Sequence, residues 1–222
     1  PDLDSFAIFP WNAGGNRVAR LICDVYGQDG LPFEGDPRNV LKRVMVECQK
    51  MGYKFNVGPE CEFFLFHTDE EGRPTTVSHE KAGYFDVAPL DLGESARRDM
   101  ILNLEDMGFE IEASHHEVAP AQHELAPIYA ECNVALDHNH IIMQTLKRVA
   151  CQHGMKCLLH EKPFAGVNGS GKHDNWSLTT DDGKNLLEPG KTPHENIQFL
   201  LVLTCILKAV DEHAALLRAA AA

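Results

Sequence analysis

The sequence is poor in basic residues. It has 20 Lys and Arg against 33 Asp and Glu, a formal net charge of −13, and no basic stripe that would attract a phosphate backbone or an anionic lipid surface. Long hydrophobic runs are also missing. The most apolar stretch, residues 199–210, contains Lys208 and is shorter than the roughly 20 residues that span a bilayer. We therefore expect no nucleic acid and no membrane among the partners, and a buried helix at residues 199–210.

The seven cysteines are odd in number and include no Cys-X-X-Cys pair. This pattern favours reduced core thiols over a disulfide framework, so we expect a cytoplasmic protein. The chain opens without a leader in which charged residues precede an apolar stretch. Both ends look cut, because Pro1 leads almost directly into a strand-like run and residues 219–222 end a helix in alanines.

With 222 residues, 44% of them hydrophobic, the chain can build one ordinary core and part of a second small domain. Strands outnumber tight strand–helix–strand units, which predicts an α+β fold with a mainly antiparallel sheet and flanking helices. The predicted strands are residues 6–9, 18–23, 53–66, 109–114, 117–128, 156–160 and 173–180. The predicted helices are residues 36–51, 94–107, 133–153 and a long helix from residue 193 onward.

Local signals set the boundaries of these elements. A turn-rich segment at residues 12–16 joins the first two strands, and glycines end the first three helices. We expect a domain boundary near Gly35, before the helix that Asp36 and Pro37 begin. The apolar faces of the first and third helices are expected to be buried through Val40, Leu41, Val44, Cys48, Met51, Val134, Ile142, Leu146 and Val149.

Two acids stand two residues apart on one predicted strand. Glu60 and Glu62 project to one face, while Cys61, Phe63 and Leu65 project to the other. Two carboxylates close together in low dielectric raise each other's pKa unless a cation lies between them, so the pair suits a divalent ion. Two solvated acids on an edge strand, or acids paired with Arg, would give the same pattern.

A second polar segment, residues 115–124, holds three histidines together with Glu117 and Glu124. Such a density is unusual for a plain loop, although polar surface remains an alternative. Glu112 precedes it in an alternating pattern that favours an acid facing solvent.

The segment 162–177 combines a glycine-rich turn with a polar strand. Its turn, residues 168–171, can approach a ligand closely through its backbone, although hairpins also need glycine. His173 and Ser177 follow on the strand four residues apart, hence on one face, where a metal ligand and a nucleotide contact would lie side by side.

These segments resemble motifs of the glutamine synthetase family. Residues 162–177 are similar to its ATP-binding signature over their whole length, and residues 58–64 and 114–120 are similar to two more of its motifs. Residues 1 to about 120 resemble the bacterial type I enzyme, with further matches at 33–38 and 82–86. Residues from about 123 to 218 resemble type III, with matches at 158–173 and 176–177.

The resemblance implies a partial catalytic domain at residues 35–222, preceded at residues 1–34 by the end of an N-terminal β-grasp-like domain. It also implies a reaction in which ATP phosphorylates the side-chain carboxylate of glutamate and ammonia then displaces phosphate. Two or more Mg²⁺ or Mn²⁺ ions would assist that transfer. Full-length members of the family are homo-oligomeric rings whose active sites are shared between neighbours.

Site residues follow from the resemblance, motif by motif. Glu62, Glu117 and Glu124 would hold one ion, and Glu60 with His173 the other. Asn168 and Gly169 would contact glutamate, whereas Glu112, Asn175 and Ser177 would lie on the nucleotide side. Tyr84 and Glu117 would form the ammonium pocket and are the expected catalytic residues.

Several family features have no counterpart in the sequence. They are an aspartate loop, a glutamate flap, the arginines for phosphate and substrate, and one metal-binding glutamate. The expectation is therefore an incomplete ligase, weakly active or inactive alone. Three alternatives stay open: a γ-glutamyl-amine ligase of the same superfamily, a catalytically silent metal-binding or structural piece, and a generic Mn²⁺ hydrolase.

Overall fold

A computed structural model describes residues 1–11, 15–75 and 80–220. The chain forms two compact units, one of Pro1–Arg43 with Val57–Asn175 and one of Val44–Asn56 with Trp176–Ala222. The strands are β1 Asp2–Ile8, β2 Ala19–Ile22, β3 Tyr53–His67, β4 Ile111–His116, β5 Gln122–Pro127, β6 Ala130–Glu131, β7 Met155–Leu158 and β8 Lys172–Thr180. The helices are α1 Pro37–Lys50, α2 Glu94–Glu105, α3 Cys132–Gln152, α4 Ile197–Glu212 and α5 Ala214–Ala220.

The predicted α+β class with a mainly antiparallel sheet is confirmed. β3 is the central strand: it pairs antiparallel with β5 and β7 and also pairs with β6 and β8, while β4 pairs antiparallel with β5 at the edge. The alternative of two solvated acids on an edge strand is therefore ruled out. Each predicted helix and strand has a counterpart, but the strand predicted at residues 117–128 begins only at Gln122. The helix predicted from residue 193 onward is divided into a helical turn, Pro193–Glu195, and the two helices α4 and α5.

The first unit has its main core on one face of this sheet. Alternation along β3 places Cys61, Phe63 and Leu65 against α2 and α3, and Phe63 is completely buried. A smaller cluster on the opposite face includes Phe64 and Phe66, with the ring of Phe164 edge-on to both. The two clusters fix the register of β3, because a slip of one residue would exchange its two faces.

The first unit also contains the β1–β2 hairpin, which is antiparallel as predicted. Part of the predicted turn, residues 12–14, lies outside the described residues, as do the last two alanines. Arg38 of α1 connects the hairpin region to α3: its Nη2 lies 2.7 Å from both Asp2 Oδ2 and Asp137 Oδ2, and its Nη1 contacts Asp24. Lys42 Nζ lies 2.8 Å from Asp24 Oδ2.

Some expected burial is wrong. α1 has no buried residue, and Val44 and Met51 are exposed, because α1 is held by the ion pairs of Arg38 and Lys42 rather than by its apolar side. On α3, Ile142, Leu146 and Val149 are completely buried as predicted, whereas Val134 is exposed in the first turn of the helix.

The second unit contains α4, which was expected to be a buried helix. None of its residues is buried, because its packing partners are mainly its chain neighbours, the helical turn Pro193–Glu195 and α5. Asn196 caps α4 by accepting a hydrogen bond from the Phe199 amide at 3.1 Å. No helix in the described ranges combines the length and the apolarity that a membrane crossing requires. The domain boundary near Gly35 stays a prediction.

Candidate active site

Three carboxylates converge on the sheet face opposite the main core of the first unit. Glu62 on β3 and Glu124 on β5 are directly opposite each other in the ladder, and residues so paired hold their Cβ atoms about 5 Å apart. Glu117 follows β4, where its amide donates to the Gln122 carbonyl at 2.7 Å. All three side chains are buried: Glu62 is 7%, Glu124 8% and Glu117 9% exposed.

His115 joins this group, although the sequence analysis gave it no role. It is the β4 partner of Glu124, and its Nε2 lies 2.9 Å from Glu117 Oε1. Ligand atoms of His115, Glu117 and Glu124 all lie within 4.8 Å of one another. The signal was present in the sequence, because a strand residue two positions before a site acid shares its face.

A second set of contacts surrounds Glu60. His173 Nδ1, on β8, lies 3.0 Å from Glu60 Oε2 and 3.7 Å from Glu62 Oε1. Asn175 Nδ2 donates to Glu60 Oε1 at 2.6 Å. The hydrogen bond to Glu60 is the main reason that the pKa of His173 is raised. The structure thus brings together residues that lie more than a hundred positions apart in the chain.

The glycine-rich loop, residues 168–171, contacts the Glu62 carboxylate. The Gly171 amide donates to Glu62 Oε2 at 2.8 Å. A Cβ atom at Gly171 would lie 2.6 Å from His173 Nε2 and 2.7 Å from Glu62 Oε1, so a side chain here would displace both side chains. This glycine is therefore required by a close approach rather than by its backbone angles.

Negative charge dominates the cluster. Burial raises the pKa of Glu124 to about 7, with further contributions from the charges of Glu60, Glu117 and Glu62. Within residues 1–11, 15–75 and 80–220, the ion-pair partners of these four acids are only His115 and His173. The alternative of acids paired with Arg is thus ruled out there. Clustered carboxylate oxygens with imidazole nitrogens fit Mg²⁺ or Mn²⁺.

A second group of potential metal ligands consists of Glu80, His116 and His123, and all three side chains are buried. His116 Nδ1 lies 2.6 Å from the Glu117 carbonyl and its Nε2 lies 2.5 Å from Glu80 Oε1. Both ring nitrogens face acceptors, and although burial opposes it, these hydrogen bonds raise the pKa of His116. Arg97 donates to His123 Nδ1 at 2.9 Å. Both ring nitrogens of His116 and Nδ1 of His123 are thus engaged in hydrogen bonds that tie this group to the fold.

The other predicted site residues are less closely connected. Tyr84 is 60% exposed, with its ring edge-on to His115 at 5.6 Å between centroids. Glu112 on β4 and Asn168 in the loop are exposed. The Gly169 carbonyl accepts a hydrogen bond from Gln122. Ser177 belongs to the second unit, where Asn56 Nδ2 lies 3.5 Å from its Oγ.

Comparison with known proteins places this geometry in a family. Residues 34–222 match the family model described as glutamine synthetase, catalytic domain. The chain is 58% identical over 185 residues to a glutamine synthetase of Clostridium saccharobutylicum, covering 83% of this chain and 42% of that protein. It is 56% identical over 179 residues to a glutamine synthetase of Staphylococcus aureus, covering 80% and 40%. The chain thus spans about two fifths of the length of these relatives.

Solved structures share the fold. A GmaS/ADP complex has a TM-score of 0.75 and 29% identity, covering 85% of this chain and 43% of that one. A cryo-EM structure of Plasmodium falciparum glutamine synthetase has a TM-score of 0.72 at 23% identity, covering 82% and 41%, a likeness of fold alone. The division into type I and type III parts stays a prediction. From the match over residues 34–222 and the identity to the bacterial relatives, the chain belongs to the glutamine synthetase catalytic-domain family.

Proposed function

We propose that the chain carries part of the site of an ATP- and divalent-metal-dependent ligase that joins ammonia to the side-chain carboxylate of glutamate. The observation that carries the proposal is the convergence of Glu60, Glu62, Glu117, Glu124 and His173, in which no Lys or Arg of the described chain forms an ion pair with the carboxylates. Membership of the glutamine synthetase family gives the reaction class.

The donor set divides into two parts. Glu62, Glu117 and Glu124 would hold one Mg²⁺ or Mn²⁺, and Glu60 with His173 a second. When bound, these ions supply electrostatic stabilisation of the negative charge that develops on phosphoryl oxygens during transfer. The side chains would fix where an ion is held, because the pairing of β3 with β5 places Glu62 and Glu124 opposite each other.

The loop of residues 168–171 and strand β8 carry most of the proposed substrate contacts. Asn168 and Gly169 are the proposed glutamate contacts, and Glu112, Asn175 and Ser177 are the proposed nucleotide contacts. The solved structure at 29% identity is of a GmaS/ADP complex, which supports nucleotide binding by this fold. Asn175 is held by Glu60, so one side chain would connect the nucleotide side to the carboxylate cluster.

Ligation needs two substitution steps, each of which forms one bond and breaks another. The γ-phosphoryl group moves from ATP to a glutamate side-chain oxygen, giving γ-glutamyl phosphate and ADP. The nitrogen of ammonia then attacks the acyl carbon and phosphate leaves. Ammonium must first lose a proton, and the Glu117 carboxylate, next to Tyr84 in the proposed ammonium pocket, is the proposed acceptor. A homo-oligomeric assembly and a cytoplasmic location complete the proposal.

Metal and nucleotide binding test this function directly. Calorimetric titration with Mn²⁺ should show saturable binding that weakens in Glu62→Ala and Glu117→Ala, while Glu105→Gln, an exposed acid on α2, retains it. ATP should bind to the Mn²⁺-loaded protein and lose affinity in His173→Ala. The absence of heat at millimolar Mn²⁺, or affinities unchanged by all three site substitutions, would contradict the proposal.

A reaction assay separates the related alternatives. Glutamate, ATP and Mn²⁺ are incubated with either ammonium or methylamine, and phosphate and the amide product are followed against His173→Ala. Product above this control with ammonium supports the glutamate–ammonia ligase. Product with methylamine alone identifies a γ-glutamyl-amine ligase, and saturable Mn²⁺ binding without ATP binding identifies a metal-binding piece.

A further inference from the structure

Gln122 is a buried amide at the junction of the carboxylate cluster and the glycine-rich loop. It is 1% exposed, and its Nε2 lies 2.9 Å from the Gly169 carbonyl, 3.2 Å from Ser170 Oγ and 3.3 Å from Glu62 Oε2. Its Oε1 accepts from the Ala119 amide at 3.2 Å. Both ends of the amide are therefore used, and none of these contacts depends on solvent.

The backbone of Gln122 is held equally firmly. Its carbonyl accepts from the Glu117 amide at 2.7 Å, and its own amide donates to the Ala119 carbonyl at 3.0 Å. It pairs with Phe64 across the β3–β5 ladder. The side chain thus projects from a fixed point between the segment that carries Glu117 and the strand that carries Glu62.

These contacts assign different roles to the two oxygens of Glu62. Oε2 receives the Gly171 amide at 2.8 Å as well as the Gln122 amide. Oε1 is the oxygen that lies 3.7 Å from His173 Nδ1. With Oε2 held by two donors, Oε1 is left as the oxygen directed at the histidine.

No other side chain of this size can replace the amide. A carboxylate would repel Glu62, and an apolar group would leave the Gly169 carbonyl and Ser170 Oγ without a donor in a buried place, which is costly. A neutral group that donates at one end and accepts at the other is required. Glutamine supplies both ends in one planar group.

We infer that Gln122 is a positioning residue that couples the carboxylate cluster to the loop of residues 168–171, so that metal occupancy and loop order depend on each other. The inference rests on the divalent-metal site proposed above. The loop carries Asn168 and Gly169, the proposed glutamate contacts, so the coupling would transmit the state of the metal site to the substrate side. Coupling between two sites is reciprocal, and each stabilises the other by the same factor.

The test compares a substitution that removes the hydrogen bonds of the Gln122 amide with a control that removes one buried hydrogen bond outside the site. Gln122→Met keeps the side-chain length without the amide. Thr145→Val is the matched control, because Thr145 is completely buried on α3 and its hydroxyl donates to the Ile141 carbonyl at 2.9 Å. We expect Mn²⁺ affinity to fall about 10- to 100-fold in Gln122→Met, as for other residues that orient metal ligands, and to change less than about twofold in Thr145→Val. Mn²⁺ affinity in Gln122→Met within that twofold margin would overturn the inference.

Hydrogen exchange at residues 168–171 measures the other half of the coupling. In the wild type, Mn²⁺ should slow exchange of these amides, and in Gln122→Met it should not, even when the variant is saturated. Without metal, exchange should be faster in Gln122→Met than in the wild type and unchanged in Thr145→Val. Equal exchange in Gln122→Met and the wild type would overturn the inference.

The two failures can be told apart. A wild type that binds no Mn²⁺ contradicts the proposed metal site, whereas the metal-free exchange comparison still decides the role of Gln122. If Gln122→Met does not fold, Ser170→Ala replaces it, since it removes one contact of the Gln122 amide. Faster exchange at Gly169 and Gly171 in Ser170→Ala then supports the inference, and unchanged exchange overturns it.

Discussion

Replacing Glu124 by Gln should change how the stability of the metal-free chain depends on pH. The pKa of Glu124 is raised from its ordinary 4.5 to about 7 in the folded chain, first by burial and then by neighbouring carboxylates. A raised pKa of an acid stabilises the folded state while the acid is protonated. That contribution is complete below pH 4.5 and is lost as the pH rises through about 7.

The magnitude follows from the shift. Between pH 5 and pH 8, Glu124 alone should lower the free energy of unfolding by roughly 2 to 3 kcal/mol, since one pKa unit corresponds to about 1.4 kcal/mol. Glu124→Gln has nearly the same shape and cannot ionise, so it lacks this loss. The wild type should therefore become progressively less stable than Glu124→Gln as the pH rises through this window.

Urea unfolding in a metal chelator, from pH 5 to pH 8, measures the effect. Other groups also titrate, so the quantity of interest is the difference between wild type and variant at each pH. Glu105→Gln, on the exposed side of α2, should run parallel to the wild type. A difference between wild type and Glu124→Gln that stays constant over the window would refute the account of Glu124 as an acid held in a crowded, negatively charged place.

Three further predictions concern packing and contacts. Gly171→Ala should weaken Mn²⁺ binding by calorimetry without loss of helical circular dichroism, because the added Cβ meets a proposed ligand on each side; unaltered affinity would contradict this. Phe63→Ala should cost about 3 to 5 kcal/mol in urea unfolding, whereas Leu102→Ala, at a 52% exposed position, should cost far less. Arg38→Met should cost about 3 kcal/mol because it leaves the buried carboxylate of Asp137 without the Arg38 guanidinium; a loss no larger than that of the exposed Lys50→Met would count against it.

The placement of Glu60 and Glu62 on one face of β3 shows what a local pattern can predict. The period of two along a strand decides which side chains share a face, and that period depends only on backbone geometry. The same reasoning correctly separated Phe63 from Glu62. It also applies to His115, which stands two residues before Glu117 and shares its face.

Burial on helices could not be predicted in the same way. An apolar stripe states which face a helix can bury and not whether another layer covers it. Ile142 and Leu146 of α3 face the sheet and are buried, whereas the comparable stripes of α1 and α4 are exposed. The role of Gln122 was equally hidden, because its amide nitrogen contacts Glu62 and the loop residues Gly169 and Ser170, which are distant in sequence.

The ion pairs of Arg38 affect where the chain can be divided. The predicted domain boundary near Gly35 separates Asp2 and Asp24 from Arg38 and Lys42. A truncation there would strip Arg38 of two of its three acidic partners and leave Asp137 as the third. Residues 1–34 are thus electrostatically part of the surface of α1 and α3, and in a shortened protein beginning at Gly35 Lys42 would lose Asp24 while Arg38 would keep Asp137.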